Sequence, residues 1–170
     1  MISLKLTRLI EQHSSELTDE LVKKLHRSSR TRGLQQVAVP ELRNRIQEML
    51  SQLHGWLLTK GDHNVQEHYR RLGRQHASQD VSLPHLCWAV VVIKEHLWDF
   101  VGQHAFHTAP MDLQAELELT RFVNVFFDGM ICYFAEGYEQ FRSEMGRTTT
   151  ARRRGREPNG RYPPNPNAMT

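Results

Sequence analysis

The chain has only two cysteines, Cys87 and Cys132, and they lie far apart. That excludes a disulfide-built fold and lacks the close spacing of a metal or redox pair. Each sits in an apolar helical stretch, where a free thiol behaves as a small hydrophobe, so both are expected in the core. Long apolar runs are missing as well. The densest stretch, Phe122 to Ala135, is interrupted by Asn124 and Asp128, and a spanning helix needs about 20 apolar residues. With a mean hydropathy of -0.58 and no continuous apolar segment between Met1 and Leu21, neither a membrane span nor a signal peptide is expected. The compartment expected by default is the cytoplasm. No segment alternates with period two, which excludes a sheet. Catalysis lacks its usual signatures: there is no glycine-rich phosphate loop, no nucleophile elbow, and no carboxylate pair set apart from helix-surface charge. The chain therefore reads as non-enzymatic.

What is present suffices for one domain. In 170 residues, 39% hydrophobic content fills a single core. The net charge is +3, but it is unevenly placed. From Gly146 to Thr170 six arginines face one acid, Glu157, giving +5; residues 1–145 therefore carry 3 minus 5, or -2. Four of the seven prolines also lie in that stretch, with almost no aliphatic side chains. We read residues 1–145 as a helical regulatory domain and 146–170 as a disordered basic tail, because such a composition cannot offset the entropy of ordering. The tail's arginines suit phosphates or an acidic partner through counterion release, though only Tyr162 is available for base stacking.

Apolar periodicity predicts five helices. The first spans about Ser3 to Ser28, with a bend suggested at His13-Ser14-Ser15, and a polar linker follows to Gln36. The second runs from Pro40 to about Thr59, ending at Lys60-Gly61-Asp62, where Gly61 suits a left-handed cap. The third covers His63 to Gln79. The fourth covers Leu83 to about Gln103, with Ser82 as its N-cap. Pro40, Pro84 and Pro110 each fall at the start of a periodic stretch, where a missing N–H has no intrahelical partner. The last helix, about Asp112 to Arg142, carries seven of the fourteen aromatics. Apolar residues surround most of its circumference near the middle, which favours a central position or a shared one. Its candidate dimer or packing face is Phe122, Phe126, Tyr133, Gly137, Tyr138 and Phe141. Gly73 and Gly137 cost helix propensity, and close helix approach explains both. Asp128, the one acid within the aromatic stretch, is expected to bond a polar group on a neighbouring helix.

Ten histidines raise the question of metal or haem. A helix brings His104 and His107 together, and His68 and His76 flank Leu72, but no three- or four-ligand pattern appears. We assign no metal and no cofactor. His68, His76, His85 and His96 are the histidines on the third and fourth helices that could line a haem pocket. They leave a haem- or small-ligand-binding sensor as the alternative function, with haem or a small apolar molecule between the fourth and fifth helices and His85 and His96 read as rim residues.

Several short stretches, taken in order, resemble one family. These are Pro40-Glu41-Leu42-Arg43 opening a helix, Tyr69-Arg70-Arg71-Leu72-Gly73-Arg74, Val81-Ser82-Leu83, Leu97-Trp98-Asp99-Phe100, and Phe126-Phe127-Asp128 leading to Gly137-Tyr138-Glu139. Over about residues 5–142 the chain resembles the N-terminal domain of RsbR-type (RsbRD-like) stressosome co-antagonist proteins, with Tyr69, Leu72, Gly73, Leu83 and Trp98 among the matching positions. The resemblance implies an all-α, globin-like bundle without haem that dimerises and serves as a sensory module in bacterial stress signalling. Family members generally carry a STAS domain or kinase in the same chain. The expectation here is a homodimer that passes its signal to a separate STAS-domain or kinase protein, a stimulus or partner biasing the packing of helices three to five.

Overall fold

The computed structural model describes residues 2–59, 65–105 and 113–154. Among these, five α-helices and one 3-10 segment account for the regular structure: α1 Ile2–Arg27, the 3-10 segment Ser29–Gln36, α2 Val39–Leu58, α3 Gln66–Ser78, α4 Leu83–Ala105 and α5 Leu113–Arg154. The fold is all-α with a long C-terminal helix, as the periodicity predicts. α1 continues unbroken through His13-Ser14-Ser15, where the Thr18 hydroxyl donates to the Ser14 carbonyl at 2.6 Å. Pro40 and Pro84 sit at the second positions of α2 and α4, where no intrahelical N–H is lost. Gly61, Pro110 and His107 lie outside the described residues.

Two differences from the sequence reading have clear causes. The polar stretch after α1 is a structured wedge, because Thr31, Gly33 and Leu34 are buried within it. The Thr31 hydroxyl donates to the Leu25 carbonyl at 2.6 Å, satisfying an acceptor that the end of α1 leaves open. Leu34 then fills the space between α1 and α4, which the segment joins. The second difference is at the other end. α5 continues through Arg154, past the boundary at 146 where the tail is expected to begin, and residues 155–170 lie outside the described residues. From Arg142 to Thr148 every residue is exposed.

The core lies along α5. Val123, Phe126, Phe127 and Met130 are almost fully buried and meet Leu17 and Leu21 of α1, Leu50 and Leu53 of α2, and Val90 and Leu97 of α4 in one cluster. Each such side chain contributes about 1.5–3 kcal/mol by leaving water. The α2–α5 contact is fixed in register by the Trp56 indole N–H, which donates to the Phe122 carbonyl at 3.2 Å. The thiols depart from the core positions expected of them: Cys132 is exposed and Cys87 only half-buried. Both fall on the flank where α4 and α5 face solvent, since the periodicity that buries Val90, Ile93, Met130 and Phe134 turns positions 87 and 132 outward.

Candidate functional site

Among the described residues, α3 packs along α5 more extensively than any other helix pair does. The close approach has a direct cause in sequence. At Gly73 an added Cβ would run into the carbonyl of Phe134, and at Gly137 one would run into the carbonyl of Arg70. Each helix thus presents a glycine to the backbone of the other, so the two backbones touch with no side chain between them. Charge then staples the flanks of this seam. Arg70 donates to Glu136 at 2.6 Å while its guanidinium lies 5.1 Å from the Tyr133 ring centre. Arg74 grips Glu144 with two nitrogens, at 3.1 and 2.7 Å. Those hydrogen bonds hold the Glu144 carboxyl below its usual range. The stretch Tyr69–Arg74 and the Gly137-Tyr138-Glu139 stretch, noticed separately in the sequence, are the two halves of one contact.

The turn that follows α3 aims His76. Asp80 adopts a left-handed conformation with φ of 56°, the Val81 N–H donates to the His76 carbonyl at 3.1 Å, and the Asp80 N–H to the Ala77 carbonyl at 3.3 Å. This is a Schellman ending, which glycine usually supplies. It carries the chain into α4 with Val81 buried beneath it, and the Ser82 carbonyl accepts the first N–H groups of that helix. His76, 4% exposed, faces α2, where one Arg45 guanidinium nitrogen lies 2.7 Å from its Nε2 and 3.1 Å from its Nδ1. A guanidinium only donates, so the imidazole accepts and is neutral. Burial, reinforced by the Arg45 charge, pulls its pKa down to about 3. Arg45 is itself held by Glu41 one turn earlier and by the Gln79 side-chain amide oxygen at 3.3 Å.

Beside this cluster lies a cavity of about 60 Å³. Every element contributes to its wall, with Leu25, Leu34, Ile46, Leu72, Val90 and Phe134 as one representative from each. Tyr69 lines it too and is 1% exposed, its ring packed edge-on against Phe126 and Phe134. The Tyr69 hydroxyl is buried with no hydrogen-bond partner. Burial, with help from the Glu48 charge, raises its pKa.

The four histidines considered as pocket ligands are dispersed. His76 alone lines the cavity. His68 stands edge-on to the Tyr69 ring with Nδ1 3.4 Å from Glu48, and burial lowers its pKa against the pull of that carboxylate. The His85 Nδ1 accepts the Gly33 N–H at 3.1 Å, tying the 3-10 segment to α4. His96 lies between Glu20, 3.0 Å away, and Lys24, 3.4 Å away. His104 stacks on Phe100 and donates to its carbonyl at 2.9 Å. Among the described residues no three His, Cys, Asp or Glu side chains converge as a metal ion requires. Of the proposed dimer or packing face, Phe126 and Gly137 are buried inside the chain, and Phe122, Tyr133, Tyr138 and Phe141 are half-buried. Asp128 is exposed and meets Lys94 of α4 at 3.2 Å. Leu83 and Trp98 pack against the core from the two ends of α4.

Arg45 and the Tyr69–Phe134 contact were not singled out in the sequence. Their partners lie 31 and 65 positions away, and the only local hint was Arg45 standing on the apolar side of α2, next to Ile46.

The described residues form an all-α body with a glycine-locked helix seam and a small apolar cavity. The particular family follows from comparison. A family model described as the RsbT co-antagonist protein rsbRD N-terminal domain matches residues 15–153, and the chain belongs to that family. Comparison with curated proteins and with solved structures finds no match. The family is one of stress-signalling co-antagonist domains, and no helix of the described residues is long and apolar enough to cross a membrane.

Proposed function

We propose that this domain is a non-enzymatic sensory module of stress signalling that forms a homodimer and acts by contact with a STAS-domain or kinase partner in the cytoplasm. The family match over residues 15–153 carries the reading. The structure supports a mechanism in which the α3–α5 seam is the moving part. Backbones in direct contact at Gly73 and Gly137 have few intermediate positions, so a partner or ligand that favours one packing shifts the whole seam. The exposed flank of α4 and α5 is the candidate dimer surface. Val125 and Leu117 are 50% and 62% exposed on α5. Nucleic-acid contact by the arginines from Arg147 onward is a secondary role in this reading.

The decisive experiment mixes the purified chain with a STAS-domain protein and a kinase of the same signalling system, and follows co-elution and kinase activity. A stable complex that lowers kinase activity is expected, with the free chain eluting at about twice its 19.9 kDa mass. A monomer that binds neither protein would remove the proposal.

A further inference from the structure

The cavity walled by all six elements has chemistry of its own. At about 60 Å³ it is less than half the roughly 150 Å³ that holds a benzene, yet several times the 10–15 Å³ that one water needs. Water needs two to four polar partners to stay in such a space, and the lining brings only Arg45, His76 and Tyr69 as polar side chains. Arg45 is bound to His76, Glu41 and Gln79. The neutral His76 ring accepts from Arg45, and the Tyr69 hydroxyl is buried and unpartnered. The remaining walls are hydrocarbon and thioether, including Ile46 and Met49 of α2, Leu86 and Val90 of α4, and Met130 and Phe134 of α5. Met49 and Met130 come from different helices and are unbranched, so the space can swell slightly without breaking rotamers.

We propose that this cavity is a binding site for a small uncharged apolar molecule, of the class of dissolved gases and short hydrocarbons. Its size suits a molecule smaller than a benzene ring, and a lining that is mostly hydrocarbon disfavours ions and sugars. A ligand of two or three heavy atoms, at no more than about 1.5 kcal/mol each, binds no tighter than about 0.5 mM, so it suits a signal present at high concentration. Because the walls come from every element, occupancy stabilises this packing over any in which α3 and α5 move apart. As an input to the signalling role the site rests on the function proposed above; as a binding site it stands without it.

Methyl-detected NMR on the full chain tests it, with xenon under pressure as the probe, and cyclopropane and dioxygen as separate arms. Saturable shifts at Ile46, Leu86 and Ile93, absent from the exposed Val39 and Leu58, are expected. Ala89→Leu, which fills the space, should weaken binding at least tenfold, and Val90→Ala, which enlarges it, should tighten binding about threefold. If Ala89→Leu loses its dispersed spectrum, the Val90→Ala gain alone decides. Saturation by cyclopropane alone marks a hydrocarbon site, and paramagnetic relaxation of the same methyls by dioxygen marks a gas site. Shifts that rise linearly with pressure, spread over surface methyls and unaffected by either variant, overturn the proposal. That result leaves co-elution with a partner untouched, so failure of the site and failure of the signalling role are separable.

Discussion

Tyr69 and His76 sit two turns apart on one face of α3 and solve the burial of a polar group in opposite ways. His76 is neutral and bonded to Arg45, while the Tyr69 hydroxyl is bonded to nothing. An unsatisfied buried hydroxyl costs about 1–3 kcal/mol, so Tyr69→Phe should leave the protein as stable or more so, with a melting temperature up by about 2–4 °C per kcal/mol gained. A loss of several degrees would mean that the hydroxyl has a partner in solution. For His76 the sign follows from linkage. Its folded pKa of about 3 lies below the ordinary 6.5, so as pH falls through 6.5 the unfolded chain takes up a proton that the folded chain refuses. Stability is therefore full above pH 6.5 and declines as pH drops toward 3, by about 2 kcal/mol between 6.5 and 5. Urea unfolding at pH 7 and pH 5 should show that much more loss in the wild type than in His76→Gln, which keeps an acceptor for Arg45. Equal losses would refute the assignment.

Among the elements, α3 and α5 depend on each other most, and glycine decides how. Replacing Gly73 or Gly137 with alanine raises helix propensity by about 1 kcal/mol, but the new methyl has only backbone to meet. Overpacking costs typically 1–3 kcal/mol and more where backbone must move, so both variants should be clearly destabilised in denaturant titration. Gly129 is the internal control. There the nearest atom to an added Cβ is Tyr133 Cε2 at 3.4 Å, ordinary contact, so Gly129→Ala should stabilise by about 0.5–1 kcal/mol. Should all three behave alike, the seam is not where the structure puts it. The helices themselves were legible because their apolar residues recur at three- and four-residue steps, and the value of Gly73 and Gly137 was legible because glycine inside a helix needs a reason. The 3-10 segment was hidden, since Ser28 to Gln36 is polar by composition and only Leu34 betrays the burial that Thr31 and Gly33 share. The Arg45–His76 pair was hidden for another reason: periodicity reports which face a residue occupies, never which distant residue it meets.

For the whole molecule, the asymmetry of burial matters more than its total. α5 is covered by α3 along one side while its other side shows Leu117, Val125 and Cys132 to solvent, beside the half-buried Cys87 of α4. If this flank joins two copies, Val125→Glu with Leu117→Glu should shift elution from dimer toward monomer while the circular dichroism of the helices stays unchanged. An unaltered dimer would move the interface elsewhere on the surface. The apolar pattern alone could not separate these faces, because Phe126 and Val125 are equally hydrophobic in sequence and only packing shows that one is 1% and the other 50% exposed.

The length of α5 makes that seam a fulcrum. Its 42 residues extend about 63 Å at 1.5 Å per residue, and the stretch from Gly137 to Arg154 accounts for about 25 Å of it. Through Thr148 that stretch is exposed after Phe141, with the Arg74–Glu144 pair as its tether to α3. A tilt of about 10° at the glycine contact would swing Arg154 by about 4 Å. A repacking too small to notice inside the bundle would thus arrive at the helix tip as a displacement the size of a side chain.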